Sequence, residues 1–297
     1  MQLLYKIIYN PQINYIIRNI NKALFTSFFK IPPSGKVKFK FDELSFFIHT
    51  NQTNYITHVL YYDGCKNFEY SSVFKKLITK CDVFFDIGAN TGYYSVLGCK
   101  ANPKLKVTCF EPAKGSLYYL AKTIHSNNLS DRIKIEPIAL AGNSGVIEFK
   151  DVTNNKYKSE KYNLAGESTT SEITTGRPFE KYNVNCLTIE DYLKNNKHSK
   201  IDLIKIDTEG TEDLILKNAK TILTNDQPII ICEILFNRIE SNLDDLMTQY
   251  GYEFYNHHPN GLEKVSTIKR TVDNGVTNCF FVHPNKKHLI DEFIITK

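Results

Sequence analysis

Five short apolar runs, separated by segments long enough to be helices, constrain this chain more than any other feature. They are "DVFFD", "KVTCFEP", "IKIEPIAL", "IDLIKID" and "PIIICEIL". Runs this short and this apolar are what strands buried on both faces look like. Between them Leu117, Leu120, Ala121 and Ile124 recur at helical spacing, as do Leu214, Ile215, Ala219, Ile222 and Leu223. Strands alternating with helices predict right-handed β-α-β crossovers and an α/β fold with a mostly parallel sheet. "YEFYNHH" and "NCFFVHP" have no helix between them and predict an antiparallel closing hairpin. Residues 141–187 interrupt the rhythm with "GVIEF" and "YNVNCLTI" around a polar stretch. That pattern predicts two strands or a β-flap, with a mobile segment near 153–178. Such an insertion beyond a sheet's ligand edge serves as a lid or acceptor-binding element, or is plain decoration.

Upstream of Cys81 the pattern differs. Ile13, Ile16, Ile17, Ile20, Leu24 and Phe28 share one face of a helix over 12–29, with Arg18 and Lys22 off it. The preferred reading packs this face on the domain behind it; the alternative is a basic amphipathic helix resting on a membrane surface. "IPPSGK" breaks the chain, "KVKFKF" and "LSFFIHT" read as a hairpin or two edge strands, and a helix follows at 69–80. The chain thus divides into an N-terminal extension, 1–64, and a domain, 65–297, carrying the β insertion at about 141–187.

The net charge of +5 is modest and Lys and Arg are scattered, so charge argues for no particular anionic partner. Seven cysteines stand singly with no C-x-x-C pair, which reads as reduced thiols rather than a disulfide frame or zinc site. No apolar run approaches the roughly 18 residues of a membrane span, and the start lacks a signal peptide's pattern. A cytoplasmic protein is expected.

Ligands of open parallel sheets bind beyond the carboxyl ends of the strands. The turn after the first run is "DIGANTG", with Gly88 and Gly92 four apart. It lacks the middle glycine of the dinucleotide fingerprint and the lysine of a phosphate loop. Asp86, two residues before Gly88, would repel a pyrophosphate and suits an ammonium or sulfonium. Glu111, at the end of the second run, is placed to accept both hydroxyls of a ribose. A ribose with a cationic amino-acid tail and no phosphate describes S-adenosylmethionine.

"FFDIGANTGYYS", "FEPAKGSLYYL", "IKIEPIALAGNSGVIEF", "CLTIEDYL" and "IDLIKIDTEGTEDLILKNAKTIL", in this order, resemble the FkbM-type family of S-adenosylmethionine-dependent methyltransferases over about residues 65–284. D-I-G-A-N-T-G together with K-I-D-x-E-G is far more specific than either alone. The resemblance implies a Rossmann-like class I methyltransferase fold, with a seven-stranded sheet whose last strand is antiparallel. It also implies O-methylation, typically of sugars or of secondary-metabolite hydroxyls.

The cofactor-binding candidates are Asp86, Gly88, Asn90, Thr91, Gly92, Glu111 and Ile138. Gly88 and Gly92 would admit the cofactor to the backbone, Asp86 would reach its amino end and Ile138 would flank the adenine. Thr91 could equally cap a helix. Asp207 and Glu209 of "IDTEG" are the catalytic candidates. Asp207 comes first, as base or acceptor-positioner, while Glu209 has the alternative of holding the helix start or Lys205. Asp207, Glu209 and Glu233 could converge on Mg²⁺, which is not the favoured reading. His257 and His258 form no zinc motif. "DTEG" stands where base-directed methyltransferases carry [N/D]-P-P-[Y/F], and no basic-aromatic surface marks a nucleic-acid partner. The acceptor is therefore expected to be a small molecule or glycan hydroxyl. The alternatives are another small metabolite, a protein, or a homologue that binds cofactor without catalysis.

Overall fold

The five apolar runs become five adjacent parallel strands that make up one side of an eight-stranded sheet. The computed structural model describes residues 1–24, 30–158, 160–171, 176–196 and 200–295; Phe28 lies outside them. Helices α1 (Gln2–Ile8) and α2 (Pro11–Leu24) precede strands β1 (Gly35–Phe41) and β2 (Leu44–Thr50), then α3 (Tyr55–Asp63) and α4 (Ser71–Leu77). Next come β3 (Val83–Ile87), α5 (Tyr93–Ala101), β4 (Lys106–Phe110), α6 (Lys114–Ser126) and β5 (Ile133–Glu136). The interruption holds β7 (Gly145–Val152) and β8 (Phe179–Leu187), with β6 (Ala139–Leu140) just before it and α7 (Ile189–Asn195) just after. The chain then returns through β9 (Leu203–Ile206), α8 (Glu212–Lys217), α9 (Lys220–Asn225), β10 (Ile229–Glu233) and α10 (Glu240–Gln249). Strands β11 (Glu253–His258), β12 (Gly261–Val265) and β13 (Asn278–Val282) close the sheet.

The strand order is β12-β11-β13-β10-β9-β3-β4-β5. The chain moves outward from β3 to β5 and then returns to the other side of β3. The order therefore reverses between β3 and β9, where open α/β sheets bind ligands. Ile87 lies opposite Ile206 there, so the turns after β3 and β9 leave the sheet side by side. β13 runs antiparallel between β10 and β11, the expected closing arrangement. The eighth strand, β12, was not expected. It pairs with β11 through a tight turn at Gly261, whose φ of +142° and 2.5 Å clearance to the Phe293 carbonyl admit no side chain.

The β1–β2 hairpin is built into the core rather than appended to it. Val37, Phe39, Phe41, Phe46 and Ile48 alternate inward and join Phe74, Val96, Leu97 and Ile124 in one buried cluster. Fully burying each such side chain contributes about 1.5–3 kcal/mol. Thr123 Oγ1 of α6 and Oδ1 of Asn127, which caps it, accept the His49 and Phe47 N–H groups, each at 3.0 Å, bonding the edge of β2.

Helix α2 inverts the preferred reading. Its buried residues are Asn14, Arg18 and Asn21, while Ile13, Ile16, Ile20 and Leu24 are exposed. The segment it covers explains why. Pro32 and Pro33 prevent regular pairing there, which leaves backbone polar groups to be satisfied by side chains. Arg18 Nη1 donates to Ser34 O at 2.7 Å, Asn14 Oδ1 accepts Ser34 N at 2.7 Å, and Asn21 Oδ1 accepts Ile31 N at 3.3 Å. Among the described residues no helix is long and apolar enough to cross a membrane. All seven cysteines are buried and free.

In the interruption, β7 and β8 form an antiparallel hairpin, and β6 pairs with β8 to make a three-stranded sheet. The segment expected to be mobile is bonded over its described residues. Thr169 Oγ1 donates to Thr208 O at 2.9 Å and Leu164 N donates to Thr53 Oγ1 at 2.8 Å, drawing it across the end of the sheet.

Candidate active site

The turn after β3 is shaped by its neighbours. Gly88 has φ +72°, and a Cβ there would stand 1.9 Å from the carbonyl oxygen of Asp207. Its lack of a side chain is therefore required by the turn after β9, whatever ligand lies above. Asn90, at φ +50°, donates its N–H to Glu111 Oε2, and Ala113 donates its N–H to Glu111 Oε1, both at 2.8 Å. One buried carboxylate thus ties the turns after β3 and β4 together. Burial pushes the Glu111 carboxyl up to about 7, against the two backbone bonds that favour its ionised form.

Asp86 is buried at the end of β3. Its Oδ2 accepts the Ser95 hydroxyl at 2.5 Å, whereas Oδ1 accepts no hydrogen bond. Thr91 Oγ1 is likewise buried without a partner, so Thr91 does not cap α5. An orphan such as Thr91 Oγ1 costs on the order of 1–3 kcal/mol. Thr91 Oγ1 and Asp86 Oδ1, which has only the Lys205 ammonium at 3.7 Å, both keep hydrogen-bonding capacity to spare. Both residues line one cleft of about 980 Å³, together with Gly88, Asn90, Glu111, Ile138, Asp207 and Glu209. Gly92 is the exception among the candidates. It lies behind the turn at φ +84°, where a Cβ would meet Leu120 Cδ1 at 2.5 Å, so helix packing explains it and the cleft does not.

Lys205, in the middle of β9, is buried beneath the cleft. Its ammonium donates to Gly88 O at 2.7 Å and sits 3.2 Å from Asp207 Oδ2 and 3.7 Å from Asp86 Oδ1. Burial alone would pull its pKa down; Asp207 and Asp86 more than offset this and raise it. Asp207, Glu209 and Glu233 each place an oxygen so that all three lie within 4.8 Å of one another. Burial, then Asp207, pushes the Glu209 carboxyl up to about 8. The same two causes, with Glu209 added, push Glu233 up to about 10, and Glu233 Oε2 is buried without a partner.

Glu209 does not hold the helix start or Lys205. Glu212 takes the helix start, its Oε1 accepting Thr208 N at 2.7 Å and its Oε2 accepting Gly210 N at 3.1 Å, and Asp207 takes Lys205. Glu209, at φ +62°, is left facing the cleft. Sequence reasoning missed Glu69 and Tyr94, whose hydroxyl donates to Glu69 Oε2 at 2.9 Å on the cleft wall. It also gave Lys205 no site of its own, although a lysine in the centre of an apolar run is a signal. His257 and His258 lie on β11, away from the cleft; burial pulls His257 down to about 4. Among the described residues lining the cleft, eight carboxylates face two basic side chains, Arg177 and Lys205.

The parallel sheet, its reversal beside β3 and the antiparallel strand set into its end define the Rossmann-like methyltransferase fold. A family model described as the methyltransferase FkbM domain matches residues 86–254, more than half of the chain. The chain belongs to the FkbM methyltransferase family. Among solved structures it is similar to methyltransferase FkbM from Methylobacillus flagellatus, at 17% identity and a TM-score of 0.42, over 68% of this chain and 43% of that one. It is similar to the Bacillus cereus O-methyltransferase in complex with S-adenosylhomocysteine, at 14% identity and a TM-score of 0.33, over 55% and 56% of the two chains. It is also similar to an S-adenosylhomocysteine-bound methyltransferase from Podospora anserina, at 14% identity and a TM-score of 0.33, over 57% and 55%. The chain spans less than two thirds of each of these proteins. No curated protein matches it.

Proposed function

We propose that this chain transfers the methyl group of S-adenosylmethionine to an acceptor hydroxyl, and that the acceptor is a sugar or glycan. The observation that carries the reading is the buried Asp86 Oδ1, which accepts no hydrogen bond and has only the Lys205 ammonium at 3.7 Å, at the carboxyl edge of the parallel sheet in a cleft where carboxylates outnumber basic groups. Such a cleft attracts an ammonium or sulfonium and repels the pyrophosphate of a dinucleotide. When bound, the cofactor supplies an electrophilic methyl group on a sulfonium.

The chain's own residues then divide the work. Asp86 Oδ1 would accept from the amino end, and Thr91 Oγ1 is available in the same cleft. Glu111 spends one lone pair of each oxygen on Asn90 and Ala113 and keeps others for the ribose hydroxyls. Ile138 flanks the base. The cleft is large enough for the cofactor and a hydroxyl-rich acceptor together.

A methyl transfer is an in-line displacement in which positioning supplies most of the rate, and a base adds about 10²–10⁴. Asp207, already bonded through Oδ2 to Lys205, fits the positioning role. Glu209, whose carboxyl burial and Asp207 push up to about 8, fits the base. This reverses the order expected from the sequence. A divalent cation is a second reading, favoured by the convergence of Asp207, Glu209 and Glu233. These three would hold it, and it would lower the pKa of the acceptor hydroxyl. Lys205 already supplies a positive charge to Asp207, which favours the metal-free reading. The test is transfer of radiolabelled methyl from S-adenosylmethionine to a panel of glycans and polyols, with and without EDTA. Label in a glycan hydroxyl, unchanged by EDTA, supports the account; label only in amines or proteins contradicts it.

A further inference from the structure

We infer that the N-terminal helices dock this protein on an anionic lipid surface. Helix α2 turns its polar stripe inward and its apolar stripe out. Asn14, Arg18 and Asn21 are 0%, 2% and 5% exposed, whereas Ile13, Ile16, Ile20 and Leu24 are 38%, 59%, 52% and 67% exposed. Spacings of three and four residues put these four on one side of the helix. α1 adds exposed Leu3, Leu4 and Ile7. A chain that needed this helix only for packing would bury the isoleucines. Here the buried network of Arg18, Asn14 and Ser34 fixes the opposite orientation.

Charge names the occupant. The first 41 residues contain seven Lys and Arg and no Asp or Glu, so this segment carries more positive charge than the whole chain's net +5. Lys6, Lys36, Lys38 and Lys40 are exposed there. An exposed apolar stripe on a segment that carries exposed lysines and no acid of its own matches the headgroup region of an anionic bilayer. Acyl chains take up the aliphatic side chains and each nearby lysine adds electrostatic attraction. The docking surface does not depend on what the cleft transfers.

The test is flotation of the full chain with vesicles of phosphatidylcholine alone and of phosphatidylcholine with phosphatidylglycerol, at low and high salt. The wild type is expected to float with the anionic vesicles, to release at high salt and to ignore the neutral ones. Ile16→Glu with Ile20→Glu should lower the bound fraction by about tenfold or more. Both positions are exposed, so the melting temperature and S-adenosylhomocysteine affinity should stay at wild-type values. Absence of flotation at low salt, or undiminished flotation of the double variant, overturns the proposal. So does a self-association seen by sedimentation that the double variant abolishes, because a second copy would then cover the face.

Discussion

Asp207 and Glu209 stand two residues apart, and their surroundings separate their roles. Lys205 holds Asp207 at 3.2 Å, while Glu209 is raised to about 8. Glu209→Gln is therefore expected to cut turnover by about 10²-fold or more with cofactor affinity unchanged; single-turnover methyl transfer measures it. Asp207→Asn should act chiefly through misplacement of the acceptor, raising KM as well as lowering kcat. Glu233 makes a prediction about stability. Its pKa in the folded chain, about 10, lies above the 4.5 of a free glutamate, so above about pH 4.5 the folded chain holds a proton that the unfolded chain has lost. The stability it contributes is complete below that pH and declines as the pH rises toward 10. Glu233→Gln removes this slope. Melting curves at about pH 5 and about pH 9 should show the variant gaining on the wild type at the higher pH. A constant difference between variant and wild type would contradict the shift.

At the scale of elements, the turns after β3 and β9 form one unit, since the Gly88 backbone presses on the Asp207 carbonyl and Lys205 donates to Gly88 O. Gly88→Ala should cost more than about 2 kcal/mol. Gly92→Ala meets only the end of the Leu120 side chain, so at the same positive φ its cost should be smaller. Chemical denaturation of the two variants gives the comparison, and equal losses would remove the turn–turn contact from the account. Both glycines were visible in the sequence, but the reason for each was not. That reason lies in Asp207, more than a hundred residues away, and in Leu120. The inverted face of α2 was hidden for a similar cause. Periodicity reports which side chains share a face; which face is buried was decided by the unpaired backbone beside Pro32 and Pro33.

Over the whole molecule, the central parallel strands β3, β9 and β10 were legible because they are buried on both sides and read as largely apolar runs. β12 was not, because "GLEKV" has a mixed pattern and pairs at an edge. Asp86 and Glu111 were legible as strand-end acids, whereas Glu69 reaches the cleft from outside the alternating region and carries no local signal. The central claim is that this cleft binds a cationic nucleoside. The measurement that tests it most directly is calorimetric titration of the full chain with S-adenosylhomocysteine, with NADH in a parallel cell. The account predicts binding of S-adenosylhomocysteine on the order of micromolar, weakened by about 1–3 kcal/mol in Glu111→Ala, and none of NADH. Binding of NADH without S-adenosylhomocysteine would contradict it.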